Sequence, residues 1–225
     1  MVAAAVAAAD DFSAVGNARP DLVIINSVAQ YFPDADYLVG VLKQAVHALK
    51  NGGCVFIGDM QGKNSLEMYH AMDHLQRASD STSVAAFKEV VANRVRIEEE
   101  FVADPAFFYL LPKLIPQISG VNVQLRKGQS ENETTKYHYD VWLYVATTVE
   151  TVKPKVTYDW KDIQSKEQLT QLLKSNAGAV VAVNNIPNIR TAKDHELVQL
   201  LNAAKPDGKL ADIRRQAMSA DNGVH

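Results

Sequence analysis

Leu22-Val23-Ile24-Ile25 form an unbroken apolar run, and Asn26, Ser27, Gln30 and Tyr31 follow it at once. A run without polar alternation predicts a strand buried on both faces, as in parallel sheets covered by helices. The period then changes. Leu38, Val41, Leu42, Ala45, Val46 and Leu49 recur at helical spacing, with Pro33 and Asp34 ahead of them as start signals and Asn51-Gly52-Gly53 ending the helix. A second apolar run, residues 54–57, closes on Gly58-Asp59-Met60-Gln61. Strand, helix and strand with short connections predict a right-handed βαβ unit with parallel strands. In open sheets of this kind ligands bind beyond the carboxyl ends of the strands, so both polar clusters fall where a ligand is expected.

Farther along, helical periodicity covers residues 65–78 and runs again from Ser83 through the acidic Glu98-Glu99-Glu100, read as a solvated face. Asp104 is expected to cap a helix with Pro105 at its first position, and Pro112 to kink or end it. Residues 121–125 and 139–147 are rich in β-branched and aromatic residues, predicting two strands. The polar linker "RKGQSENETTKYH" is short enough to pair them antiparallel. Beyond residue 148 the character shifts: a charged, extended "TVETVKPKVTYDW", a helix in "SKEQLTQLLKS", a strand in "GAVVAVNNIP", a helix in "DHELVQLLNAA", and a frayed tail from Asp212. The expected division is 1–148 and an extension, 149–225.

Charge and composition narrow the function. The 225 residues are 47% hydrophobic and 22% charged, with a formal net charge of -3 and the signs well mixed. There is no broad basic face to attract nucleic acid or an anionic membrane. The single cysteine, Cys54, lies in an apolar strand and is expected to be a buried small hydrophobe in a reducing, cytoplasmic setting. No apolar run approaches the roughly 18 residues needed to span a bilayer. The opening "MVAAAVAAADD" lacks the basic region of a signal peptide and resembles the last turns of an element that begins upstream. His70 and His74 have metal-ligand spacing, but "HAMDH" lacks the glutamate of a zincin and suggests no third ligand, so surface or lid histidines are expected and no metal.

Five stretches then occur in order: "DLVIINSVAQYFPDADYL", "GGCVFIGDM", "EEEFVADPAFF", "NETTKYHYDVWLYV" and "NNIPNIR". Together, from about Asp11 to about Arg190, they resemble the N-methyltransferase domain inserted in the adenylation domains of nonribosomal peptide synthetases, especially those of fungal N-methylated cyclic peptides and depsipeptides. The resemblance implies an α/β fold, a partial Rossmann-like sheet of the class I S-adenosylmethionine-dependent type with an antiparallel last strand, plus a small α/β extension leading back to the adenylation domain. The implied activity moves a methyl group from S-adenosylmethionine to the α-amine of an aminoacyl thioester. That thioester is carried on the phosphopantetheine of a peptidyl carrier domain. One feature departs from the family: no G-x-G occurs, and Gly52-Gly53 precedes a strand instead of following one. The cofactor's glycine-rich loop and ribose-binding acid are expected upstream of Met1, leaving the isolated chain inactive and its first strand an unpaired edge prone to self-association.

On that resemblance, Asn26 and Ser27 are expected at the cofactor's methionine portion or the acceptor amine, although Asn26 equally suits a turn cap. Tyr31 is a candidate to face the sulfonium, while Phe32 is assigned to the core. Asp10 or Asp11 resembles the acidic step that contacts the adenine amino group, or caps a turn. Asp59 is expected to orient the amine. Gln61 stands where the family often has an arginine, which leaves a salt bridge for Asp59 unsupported. Asn132, Glu133, Tyr137 and Tyr139 match a signature on the substrate side, with Glu133 toward the amine or in solvent, and Gln30 is a further substrate candidate. Two other functions fit part of the pattern: a non-catalytic docking segment against the adenylation domain, and a nicotinamide-binding Rossmann enzyme, which the missing glycine fingerprint opposes.

Overall fold

The computed structural model of the chain describes residues 4–16, 18–147 and 153–219. Its main sheet has the order β1-β2-β4-β3, from β1 (Leu22–Asn26), β2 (Gly53–Gln61), β3 (Ile118–Leu125) and β4 (His138–Val145). β1 and β2 pair in parallel, with Asn26 opposite Gly58. α1 (Ala35–Ala48) connects them, its first turn capped by the Asp34 carboxylate on the Tyr37 amide. β4 runs antiparallel to both β2 and β3. The expected βαβ unit and antiparallel pair are therefore present, and β4 lies between them. Past β2 come α2 (Leu66–Leu75), α3 (Val84–Arg96) and α4 (Pro105–Leu114), with α5 (Glu133–Tyr137) leading into β4.

α1 and α4 cover one face of the sheet. Leu38, Val41, Leu42 and Ala45 of α1 and Phe108 and Leu111 of α4 join Ile25, Val55, Ile57, Val141 and Leu143 in one buried cluster. The alternate strand residues face the other way, where Cys54, Phe56, Trp142 and Tyr144 are only half-buried. The expectation that the first strand is buried on both faces, and Cys54 with it, is corrected here. Leu22 and Ile24 are 43% and 61% exposed, because β1 is an edge strand with helices on one side only among the described residues.

The segment after residue 152 adds β5 (Val156–Asp159), α6 (Trp160–Ile163), α7 (Lys166–Ser175), β6 (Val181–Asn184), α8 (Ala192–Ala203) and α9 (Leu210–Met218). β5 and β6 form a separate parallel pair. α9 replaces the frayed tail expected from Asp212. Leu210, Ile213 and Ala217 recur on one helical stripe and pack with Leu197 and Leu201 of α8 and with Ala71, Leu75, Val84, Phe87 and Val91 of α2 and α3. This second core draws residues from both sides of position 148. Elsewhere, α3 ends at Arg96, short of the acidic run, and α4 continues through its last turn past Pro112 to Leu114. The expected tail beyond Ser219 lies outside the described residues.

Leu143 is fully buried at the centre of the first core. Leu143→Ala should lower unfolding free energy by about 2–5 kcal/mol, read as a lower denaturant midpoint with an unchanged slope.

Candidate active site

The sheet order brings all four strands to one end. β1 and β2 finish there, β4 starts there because it is antiparallel to them, and β3 finishes there because it is antiparallel to β4. Ser27, Asp59, His138 with Asp140, and Arg126 therefore stand in a row across the sheet.

The row is bonded throughout. Asn26 Nδ2 donates to Ser27 Oγ at 3.0 Å, and Ser27 Oγ donates to Asp59 Oδ2 at 2.7 Å. The other carboxylate oxygen, Asp59 Oδ1, lies 2.9 Å from His138 Nδ1 and 3.0 Å from Arg126 Nη1. The Asp59 amide donates to Asp140 Oδ1 at 3.0 Å, and Arg126 also reaches that oxygen at 3.4 Å. Asn26 and Asp59, expected at a shared mouth, are thus linked through Ser27.

Local backbone explains how so short a stretch does this. Ser27 (φ 55) and Asp59 (φ 69) both occupy the left-handed region, which glycine normally fills. Each such position costs about 1–3 kcal/mol and persists where the surroundings hold it. A register shift between Ile57 and Met60 marks the irregularity in β2 that turns Asp59 toward the mouth. At Gly58 a Cβ would stand 2.2 Å from Asn26 Oδ1 and 2.7 Å from the Phe56 ring, so a larger residue there would displace the Asn26 and Phe56 side chains.

Around the row lies a wall of carboxylates. Glu133, at the start of α5, places Oε1 4.0 Å from His138 Nε2, and its side chain is 47% exposed. Glu100 is half-buried; burial and the neighbouring Glu98 hold its carboxyl above the ordinary range. Burial, with Glu133 and Asp73 adding to it, pushes the Tyr69 phenol up to about 12. Asp59 goes the other way. Burial pushes its carboxyl up, but the Ser27 hydroxyl, Arg126 and His138 outweigh that and hold it below the ordinary range. With Asp59, Asp140, Glu133 and Glu100 set against Arg126, the mouth suits a cation.

Other expected residues fall as follows. Gln30 is buried beside the mouth with Oε1 unpartnered, and Tyr31 is 74% exposed. Phe32 is buried edge-on against Tyr37. Asp10 accepts from the Tyr37 hydroxyl at 3.2 Å, which places it beside the first turn of α1, and Asp11 caps the Ser13 amide. Asn132 forms a capping box with Thr135. The Tyr137 hydroxyl donates to Asp194 and the Tyr139 hydroxyl to the Ala103 carbonyl, so these three have their polar atoms engaged within the fold.

Three readings are corrected. Asp59 does form a salt bridge, but its partner is Arg126 from the far side of the sheet instead of a neighbour in β2. His70 is buried, not at the surface, and its Nε2 lies 3.0 Å from Glu98 Oε2. Glu98 and Glu100 are accordingly half-buried and line the site, and only Glu99 is exposed. Sequence reasoning missed Arg126, His138 and Asp140. The signal was available in the antiparallel pair: its linker begins at Arg126 and ends at His138, so both had to share one end.

No protein-family model matches the chain. Curated relatives do. The chain is 33% identical over 86% of its length to "Chondramide synthase cmdD" of Chondromyces crocatus. It is 31% identical over 88% to "Nonribosomal peptide synthetase penN" of Penicillium thymicola, and 29% identical over 92% to "Bassianolide nonribosomal cyclodepsipeptide synthetase" of Beauveria bassiana. The chain spans 5%, 8% and 7% of these proteins. It is thus a relative of one segment of the nonribosomal peptide synthetases, a family of large synthetases found in bacteria and fungi.

Because the Asp59 carboxyl is depressed in the folded state, its contribution to stability is full above its unfolded value of about 4. That contribution is lost as pH falls through the lower folded value. Asp59→Asn should therefore destabilise at neutral pH by roughly 1–3 kcal/mol. The difference from wild type in denaturant titrations should shrink as the pH drops below about 4.

Proposed function

We propose that this chain forms part of a synthetase unit that transfers a methyl group from S-adenosylmethionine to the α-amine of a carrier-bound aminoacyl thioester. The observation that carries the proposal is the acidic, bonded row at the carboxyl ends of β1 and β2. Two features support it: an antiparallel strand between β2 and β3, as the methyltransferase-like sheet requires, and relatedness to peptide synthetases. A sulfonium and an ammonium are both cations, and the carboxylate-rich mouth fits both. Asn26, Ser27 and Gln30, whose Oε1 has no partner among the described residues, are the groups that would hold the methionine portion of the cofactor. Asp10 and Asp11 are the acidic candidates for its adenine.

When bound, S-adenosylmethionine supplies an electrophilic methyl group. The chain's own residues have to hold an unprotonated amine in line, because orientation alone supplies roughly 7–11 kcal/mol in favourable cases. Asp59 and Glu133 accept hydrogen bonds from the amine, and Ser27 and Arg126 fix Asp59 in the orientation that allows this. The thioester arrives on phosphopantetheine from the carrier domain of the same synthetase. A second, compatible role is docking: Leu173, Val180 and Ile186 are 49%, 46% and 43% exposed on the segment after β4, and they suit burial against a neighbouring adenylation domain.

The parent synthetase, loaded with its amino acid and given S-adenosylmethionine, should yield the N-methyl aminoacyl thioester by mass spectrometry. Ser27→Ala should lower kcat by about 10²-fold, the scale of a misplaced catalytic group. Unmethylated thioester from the wild-type synthetase would overturn the reading.

A further inference from the structure

His138 is the group at this mouth whose chemistry is unused. Its side chain is 7% exposed, and Nε2 is buried with no hydrogen-bond partner among the described residues. The other ring nitrogen faces Asp59 Oδ1 at 2.9 Å. Asp59 is held below the ordinary carboxylate range, so in the neutral ring Nδ1 is the nitrogen that donates to it and Nε2 carries the lone pair. Charged and titratable groups approach from every element around the ring: Asp59 from β2, Arg126 from the end of β3, Glu133 from α5, Asp140 from β4, and Glu100 from the segment before α4. Glu133 Oε1 stands 4.0 Å from Nε2, on a side chain that is 47% exposed.

We propose that His138 Nε2 is the base that removes a proton from the substrate's α-ammonium. This rests on the methylation reading above. An α-amine ionises near 7.7–8.0, so near neutral pH most of the substrate arrives as an ammonium whose nitrogen has no lone pair to offer. In the proposed step one N–H bond of the ammonium breaks and its electron pair stays on nitrogen. The proton binds the Nε2 lone pair. The resulting imidazolium is held between Asp59 at Nδ1 and Glu133 at Nε2, and later returns the proton to water. The amine, now neutral, keeps the lone pair that forms the new C–N bond.

The test uses the parent synthetase and His138→Gln, with two readouts. In turnover, the variant should lose roughly 10²–10⁴-fold in kcat at neutral pH and recover at high pH, where the amine is already neutral. In binding without turnover, the affinity of wild type for an aminoacyl-pantetheine amide should fall on acidification, since a protonated Nε2 repels ammonium. The variant should be flat there. Retained S-adenosylhomocysteine binding shows that the variant is folded, and a pH-independent affinity in wild type would by itself overturn the proposal. So would equal pH profiles of kcat in the two proteins. Absence of N-methyl product from wild type at every pH would instead overturn the methylation reading, and the proposal with it.

Discussion

The architecture of the mouth depends on one carboxylate held at a left-handed backbone position. Asp59 accepts from Ser27, His138 and Arg126 while its amide donates to Asp140. Those partners belong to the ends of β1, β4 and β3. A buried carboxylate with so many charge-assisted partners is stable only as part of a complete set, because each missing partner leaves a charge poorly compensated. The strained φ values of Ser27 and Asp59 are held by the same bonds. Strain and electrostatics thus reinforce one geometry.

The sheet makes that set possible. With β4 inserted antiparallel between β2 and β3, strands distant in sequence deliver a hydroxyl, a carboxylate, an imidazole and a guanidinium to one edge of the sheet. α1 and α4 fix the other face through a continuous apolar cluster, so the row is built on a packed support. A second clip secures the acidic wall. Lys136 Nζ lies 2.6 Å from the fully buried Asp194 of α8, which also accepts from Tyr137, and this ties α5, with Glu133 at its head, to the C-terminal helices.

Much of this was legible in the sequence where periodicity carries the information. The run 22–25, the α1 stripe and the alternation in β4 give strands and helices without any structure. Burial was less legible, since an apolar run looks the same in a central strand and in an edge strand such as β1. The site was legible where residues directly follow a strand, as Ser27 follows β1 and Asp59 ends the apolar part of β2. It was illegible where contact depends on strand order: nothing local to Arg126 or His138 announces Asp59, which is distant from both in the chain. The acidic run at Glu98 looked like a solvated face because its partner, His70, reaches it only after α2 and α3 fold back together.

The central claim is that the row formed by Ser27, Asp59, His138 and Arg126 is where the acceptor amine sits. A crystal structure of the synthetase bound to an aminoacyl-pantetheine mimic tests this most directly. The account predicts the α-nitrogen within hydrogen-bond reach of Asp59, Glu133 or His138 Nε2, with the Asp59–Arg126 pair intact. An α-nitrogen bound elsewhere on the chain, with the row unchanged and empty, would contradict it.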